Sequence, residues 1–252
     1  DEYIFEIYKN KNVYIKDDNI PIITQPVFHK GDFLLKKLKT ISQLRDYHPA
    51  KKIIERRRIP SRFHYKLYFA PKFFEWVNKI VPNKFPSNVK DHPRLVIPFL
   101  DKRNKMFAFQ GRAFGKEEPK YFTISLNEDR KIYGLDKVNW SKKVYVVEGP
   151  IDSLFLDNCV ATANSDLRIE EKKQDIILVP DNQPRNLEIV KRIQTFIDQD
   201  YSVCLWPEHI KEKDINDMVL SGTKDIKQII NENTFRGLEA KVHFKTWRKI
   251  NG

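Results

Sequence analysis

The chain has 252 residues, 46 Lys and Arg against 34 Asp and Glu, and two cysteines, long enough for one large domain or two small ones with a proper core. Cys159 and Cys204 both sit inside apolar runs, which reads as core packing in a reducing compartment and leaves no Cys pair for zinc. No apolar stretch nears the ~20 residues of a membrane span and the first residues lack a signal-peptide pattern, so no membrane partner is expected.

The positive charge is unevenly placed. Residues 1–125 hold 26 Lys or Arg against 13 Asp or Glu, whereas residues 126–252 hold 20 against 21. The first half is therefore the half that attracts a polyanion, although lysine-rich surfaces also serve solubility alone. Residues 1–15 mix apolar residues with lysines and fit either a helix or an edge strand. Residues 16–32, with Pro21 and Pro26 and no sustained period, read as a linker.

Pro49 to Arg58 predicts a helix with proline in its first turn and Pro60 beyond its end. Lys51, Lys52, Arg56, Arg57, Arg58, Arg62 and Lys66 crowd around it, with Glu55 the one opposing acid. A solvated helix face is the plain reading of such a run. Interleaved Phe63, His64 and Tyr65 favour contact with a strand of nucleic acid, where bases stack and phosphates pair. Pro71 to Val81 predicts a second helix, burying Phe73, Phe74, Val77, Ile80 and Val81. Leu95 to Leu100 and Met106 to Phe114, joined by a turn at 101–104, predict an antiparallel hairpin continued by Tyr121 to Ile124. Arg112, Lys116 and Lys120 follow these strands, where a charged protective edge is the ordinary explanation.

From Val144 the pattern becomes alternating strand and helix. Strands are expected at 144–147, 159–163, 176–179 and 202–206, and helices from Ile151, over 184–199, up to Leu220 and through about Ile230. This is an α/β arrangement with a mainly parallel sheet and flanking helices, preceded by a basic α+β subdomain. The tail alternates over Leu238 to Phe244, as a final strand would. The expected divisions are 1–47 as N-terminal segment and linker, 48–138 as the basic subdomain, 139–233 as the α/β domain and 234–252 as the tail.

Three of these strands end in acids. Glu148 closes the run 144–147 within Glu148-Gly-Pro-Ile-Asp152, Asp181 closes 176–179, and Lys213-Asp214-Ile-Asn216-Asp217 follows 202–206. A parallel strand delivers its carboxyl end to the ligand crevice. Acids gathered there repel one another unless a cation or a proton intervenes, which points to divalent metal or proton transfer. Asp152 completes the shell or caps the following helix.

In order and spacing, Glu148-Gly-Pro-Ile-Asp152, Asp181-Asn-Gln183 and Lys213-Asp-Ile-Asn-Asp217 resemble the TOPRIM domain of bacterial-type primases and topoisomerases. The chain resembles most the DNA primases of T-even-like bacteriophages, through Pro93-Arg-Leu-Val-Ile-Pro98, Phe109-Gln-Gly-Arg112, Pro119-Lys-Tyr121, Ile132-Tyr-Gly134 and Glu2-Tyr-Ile-Phe-Glu-Ile7. The resemblance implies a primase polymerase domain, without the zinc ribbon, that makes short RNA primers from NTPs on single-stranded DNA in the cytoplasm of an infected bacterial host. It implies Mg²⁺ or Mn²⁺ and no zinc, with a hexameric replicative helicase as partner and room for a single-stranded-DNA-binding protein.

By the same resemblance Glu148, Asp181 and Asp214 are catalytic, and Gln183, Asn216 and Asp217 join them around the metal. Arg112, Lys116, Lys120, Tyr121 and Asp152 hold nucleotide or template. Gln183 departs from the family, which carries Asp or Glu there. Either the natural protein tolerates a weaker site or an acid has been exchanged for its neutral isostere, so an inactive or weakened enzyme is one expectation. A TOPRIM nuclease and a non-catalytic module for single-stranded DNA or helicase docking are the alternatives.

Overall fold

The computed structural model describes residues 30–127, 131–164, 166–169 and 175–250. The readings for residues 1–15 and for 16–29 of the linker lie outside these. Two five-stranded sheets divide the strands by pairing type. The first is antiparallel throughout, in the order β1 (Lys39–Thr40), β2 (Tyr68–Ala70), β3 (Arg94–Leu100), β4 (Met106–Ala113) and β5 (Tyr121–Ser125). The predicted hairpin is β3 and β4, buried at nearly every position rather than on alternate ones, because both faces of this sheet are covered.

Helix α1 (Lys30–Leu35) and the edge strand β1 lie where the sequence shows no period. Residues 30–32 of the expected linker are thus helical. Helix α2 (Pro49–Arg56) starts as expected, with Pro49 in its first turn and the Ala50 N–H donating to His48 Nδ1 at 3.2 Å. It stops two residues short of Arg58, which takes a left-handed conformation with φ 54°. Helix α3 (Phe73–Ile80) buries Phe73, Phe74, Trp76 and Val77. Its N-terminus is capped from a distance: the N–H groups of Phe74 and Glu75 both donate to the Asp91 carboxylate at 2.9 Å.

The second sheet runs β10 (Thr234–Phe235), β9 (Ser202–Cys204), β8 (Ile176–Val179), β6 (Val144–Val147) and β7 (Cys159–Ala161). All its pairs are parallel except β10 with β9. One face carries α4 (Leu187–Asp198), whose N-cap Asn186 accepts from the Glu188 and Ile189 N–H groups, and α7 (Gly237–Trp247). The opposite face shares one hydrophobic cluster with the first sheet, where Leu95, Ile97 and Phe99 meet the layer of Tyr145, Val147, Ile177 and Val179. The two halves therefore share a core, and one face of the parallel sheet is held against the basic half. Helices α5 (Ile215–Ser221) and α6 (Ile226–Glu232) follow β9, and α5 ends at Gly222 with φ 92°.

Two expectations are corrected. The alternation in the tail belongs to a helix, α7, which buries Ala240, Phe244 and Trp247 at i, i+4 and i+7 and leaves Leu238 and Val242 exposed. The helix expected from Ile151 is a single 3-10 turn, Asp152–Phe155. Among the described residues no helix is long and apolar enough to cross a membrane.

Candidate active site

Glu148 follows β6 directly and Asp181 follows β8 after Pro180, so adjacent parallel strands deliver both acids to one edge of the sheet. Asp214 is the N-cap of α5, its carboxylate accepting from the Asp217 N–H at 2.8 Å. Asp152 opens the 3-10 turn behind Glu148. A Cβ at Gly149 would crowd the Asp152 carboxylate and push it from its present place. The four carboxylates of Glu148, Asp152, Asp181 and Asp214 line one cleft of about 10 Å³, roughly the room of a single water or a bare ion.

The loops are tied to one another. The Asp181 N–H donates to Glu148 Oε1 at 3.3 Å, and the Asn182 N–H donates to the Lys213 carbonyl at 2.7 Å. Asn182 Nδ2 donates to the carbonyls of Ile210 and Glu212 at 3.0 and 3.2 Å. Trp206 Nε1 donates to the Pro180 carbonyl at 2.8 Å. These bonds fix the Asp181 and Asp214 loops as one unit, so the acids cannot separate freely.

Electrostatics follow from burial. Glu148 is pushed up to about 7 by desolvation and then by Asp181, and Asp152 to about 8 by desolvation and then by Asp214. Asp181 is also raised by burial, though the Lys213 ammonium, 3.2 Å from its carboxylate, pulls the other way. Lys213 itself is raised: burial is the largest single influence and lowers it, but Asp181, Asp214 and Glu148 together outweigh burial. Asp217 is raised by burial and Asp214. Lys213 acts on Asp181, Asp214 and Glu148, and yet Glu148, Asp152 and Asp181 all remain raised.

Among the described residues no three acidic, histidine or cysteine side chains stand close enough to enclose one ion. The donor chemistry fits a divalent cation nonetheless, because hard carboxylate oxygens with raised proton affinity converge on a cleft of ionic size. Gln183 lies beside the cluster, its Nε2 contacting Asp181 Oδ2 at 3.4 Å. The amide presents a donor where an acid would present charge.

The other predicted residues separate into two groups. Arg57, Arg112, Lys120 and Tyr121 form a second group, linked electrostatically to one another and to the acids of α5. Arg112 and Tyr121 are cross-strand partners on β4 and β5, and Arg112 Nε donates to the Tyr121 hydroxyl at 3.1 Å. Arg57 feels Arg112, Tyr121, Asp214 and Asp217, and Asp217 feels Lys120. Lys116 is exposed on the β4–β5 connection.

In the predicted basic run, Lys51 is paired with Asp46 and Lys66 with Asp136, both at 2.7 Å. Arg58 Nη1 donates to the Val219 carbonyl at 2.9 Å. Lys52, Arg56 and Arg62 remain at the surface. His64, expected to stack on bases, is buried and bonded to the Ile59 carbonyl, which leaves Tyr65 as the exposed ring of that trio. Asn216, expected beside the metal, is 3% exposed and turned to Arg57. Lys213 and Asn182 were not singled out from sequence, although both flank acids that were.

No family model matches the chain. It is 34% identical over 260 residues to a DNA primase of Enterobacteria phage T4, covering 99% of this chain and 75% of that one. Among solved structures, it is similar to the zinc-binding and RNA polymerase domains of the Aquifex aeolicus primase, with a TM-score of 0.57 at 18% identity. That match covers 82% of this chain and 60% of the other. It is also similar to a DnaG primase catalytic domain bound to single-stranded DNA, with a TM-score of 0.58 at 17% identity, covering 82% and 80%.

Proposed function

The chain belongs to the DNA primase family, and on that premise we propose that its acid-lined cleft joins ribonucleotides into RNA primers on single-stranded DNA. The observation that carries the reading is the convergence of Glu148, Asp152, Asp181 and Asp214 on one cleft, with Arg57 and Lys120 in the electrostatic field of the acids of α5, Asp214 and Asp217. The negative charge suits a cation and the positive charge suits nucleotide and template phosphates.

Glu148, Asp181 and Asp214 would hold Mg²⁺ or Mn²⁺, with Asp217 and Gln183 at the margin. A divalent cation bound there supplies charge neutralisation for the triphosphate and the leaving pyrophosphate. Glu148, pushed up to about 7, takes the proton of the attacking 3′ hydroxyl. The 3′ oxygen bonds to the α-phosphorus as the bond to the pyrophosphate oxygen breaks. Arg112 and Tyr121 hold one another in place from adjacent strands, while Lys116 and Lys120 guide phosphates at the exposed end of β5. Lys52, Arg56 and Arg62 extend the positive surface along the template.

Residues 48–138 act as the template-holding part and 139–233 as the TOPRIM catalytic part, with 1–47 and 234–252 flanking them. A hexameric replicative helicase is the proposed partner, and the host bacterial cytoplasm the proposed place of action. The neutral Gln183 beside Asp181 favours a second reading, a non-catalytic module for single-stranded DNA.

The test is labelled ribonucleotide incorporation on single-stranded DNA with Mg²⁺ and with Mn²⁺, for this chain and its Gln183→Glu variant. Short RNA that disappears with EDTA is expected, with Gln183→Glu the more active at limiting metal. Tight single-strand binding by both forms with no RNA, even with helicase and a separately supplied zinc module, would move the assignment to the non-catalytic reading.

A further inference from the structure

The amide of Asn216 is engaged on both sides by one residue from the other half of the molecule. Arg57 Nη1 donates to Asn216 Oδ1 at 2.7 Å, and Asn216 Nδ2 donates to the Arg57 carbonyl at 2.8 Å. The Asn216 N–H donates to Asp152 Oδ1 at 2.9 Å. The adjacent Arg58 Nη1 reaches the Val219 carbonyl one turn further along α5. The C-terminal end of α2 is thereby fastened to the helix whose N-cap is Asp214.

Both polar atoms of this side chain are turned to Arg57. What the bond does is fix the direction of a long, otherwise flexible arginine. Arg57 is half-buried; burial and then Arg112 lower its proton affinity, while Tyr121, Asp214 and Asp217 raise it, so it stands within electrostatic reach of the acids. One hydrogen bond occupies a small part of a five-donor guanidinium. A planar fork held at a fixed angle suits the paired oxygens of a phosphate chain.

We propose that Asn216 is a positioning residue: it aims the Arg57 guanidinium within electrostatic reach of the acids, where Arg57 takes the triphosphate of the incoming ribonucleotide. The inference rests on the primer-synthesis reading for the identity of the ligand and on the Arg57–Asn216 geometry for the site.

Calorimetric titration of the full chain with ATP and Mg²⁺, without template, tests it. Asn216→Ala and Arg57→Ala each weaken ATP binding about tenfold, the scale of a lost charged hydrogen bond. The double variant binds no more weakly than Arg57→Ala alone. Asn216→Asp, which still accepts from the guanidinium, stays within about threefold of the unaltered chain. Mn²⁺ affinity is unchanged in Asn216→Ala, which alters no charge.

Multiplicative losses in the double variant, an unchanged ATP affinity, or a loss of Mn²⁺ affinity in Asn216→Ala would each overturn the proposal. Should Asn216→Ala melt early, Arg57→Lys serves in its place, because it keeps the charge and the carbonyl contact while removing the fork. It is expected to weaken ATP binding at an unchanged melting temperature, and full affinity there would refute the proposal. Primer synthesis run alongside separates the two readings. Arg57-dependent ATP binding without RNA products removes the proposed function and leaves this site, whereas RNA products with unaffected ATP binding in the variants do the reverse.

Discussion

Exchanging Glu148 for Gln abolishes RNA primer synthesis, with an expected loss on the order of 10³-fold, while single-stranded DNA binding stays within about twofold. Glu148 directly follows the interior strand β6, accepts the Asp181 N–H and lies beside Asp181 in the cleft. The amide of Gln keeps length and shape but loses the charge that holds a cation and the basic oxygen that takes a proton. DNA binding is expected to hold because the proposed template contacts are cations of α2 and of the β4–β5 region, not Glu148. Steady-state ribonucleotide incorporation and a filter-binding isotherm, measured on one preparation, check both halves. A parallel fall in both would mean that the substitution disturbs the fold and not the chemistry.

Exchanging Asp152 for Asn stabilises the protein in EDTA above pH 8, by on the order of 2–4 kcal/mol. Asp152 is deeply buried and pushed up to about 8 by desolvation and Asp214. A carboxyl whose folded value is raised above the unfolded one binds its proton more tightly in the folded state. Stability from this group is therefore complete below about pH 4 and declines as pH rises towards 8. Glu148, pushed up to about 7, adds a decline with the same sign. Asn carries no charge at any pH, so the variant should lose much of the slope between pH 5 and pH 8.5 in urea denaturation. Added Mg²⁺ should flatten the slope of the unaltered chain, because a bound cation offsets the same repulsion. Equal slopes for the two proteins in EDTA would contradict the burial of a strained acid at 152.

The parallel sheet was legible because its strands are short apolar runs at regular intervals, each ending in a turn or an acid. Glu148, Asp181 and Asp214 stand out for the same reason, since a charge at the end of a buried run has few structural uses. The short strands β1 and β2 were not legible, because two or three residues are too short to show a period. Leu238 to Phe244 misled because hydrophobic residues at every second position also put Ala240 and Phe244 four apart on a helix. The role of Asn216 lies further out of reach. Its partner Arg57 is 159 positions away, and no local pattern marks a side chain whose bonds cross between two halves. His64 failed for a related reason: an imidazole in a basic run resembles a surface group until the fold buries it against Ile59.

The most direct test of the account is crystallography of the chain grown with Mn²⁺ and ATP, with anomalous scattering at the manganese edge. A peak bonded to oxygens of Glu148, Asp181 and Asp214, with the ATP phosphates between it and Arg57, is the predicted result. A peak elsewhere, or ATP seated away from the four carboxylates, would contradict the claim that this cleft is where nucleotides are joined.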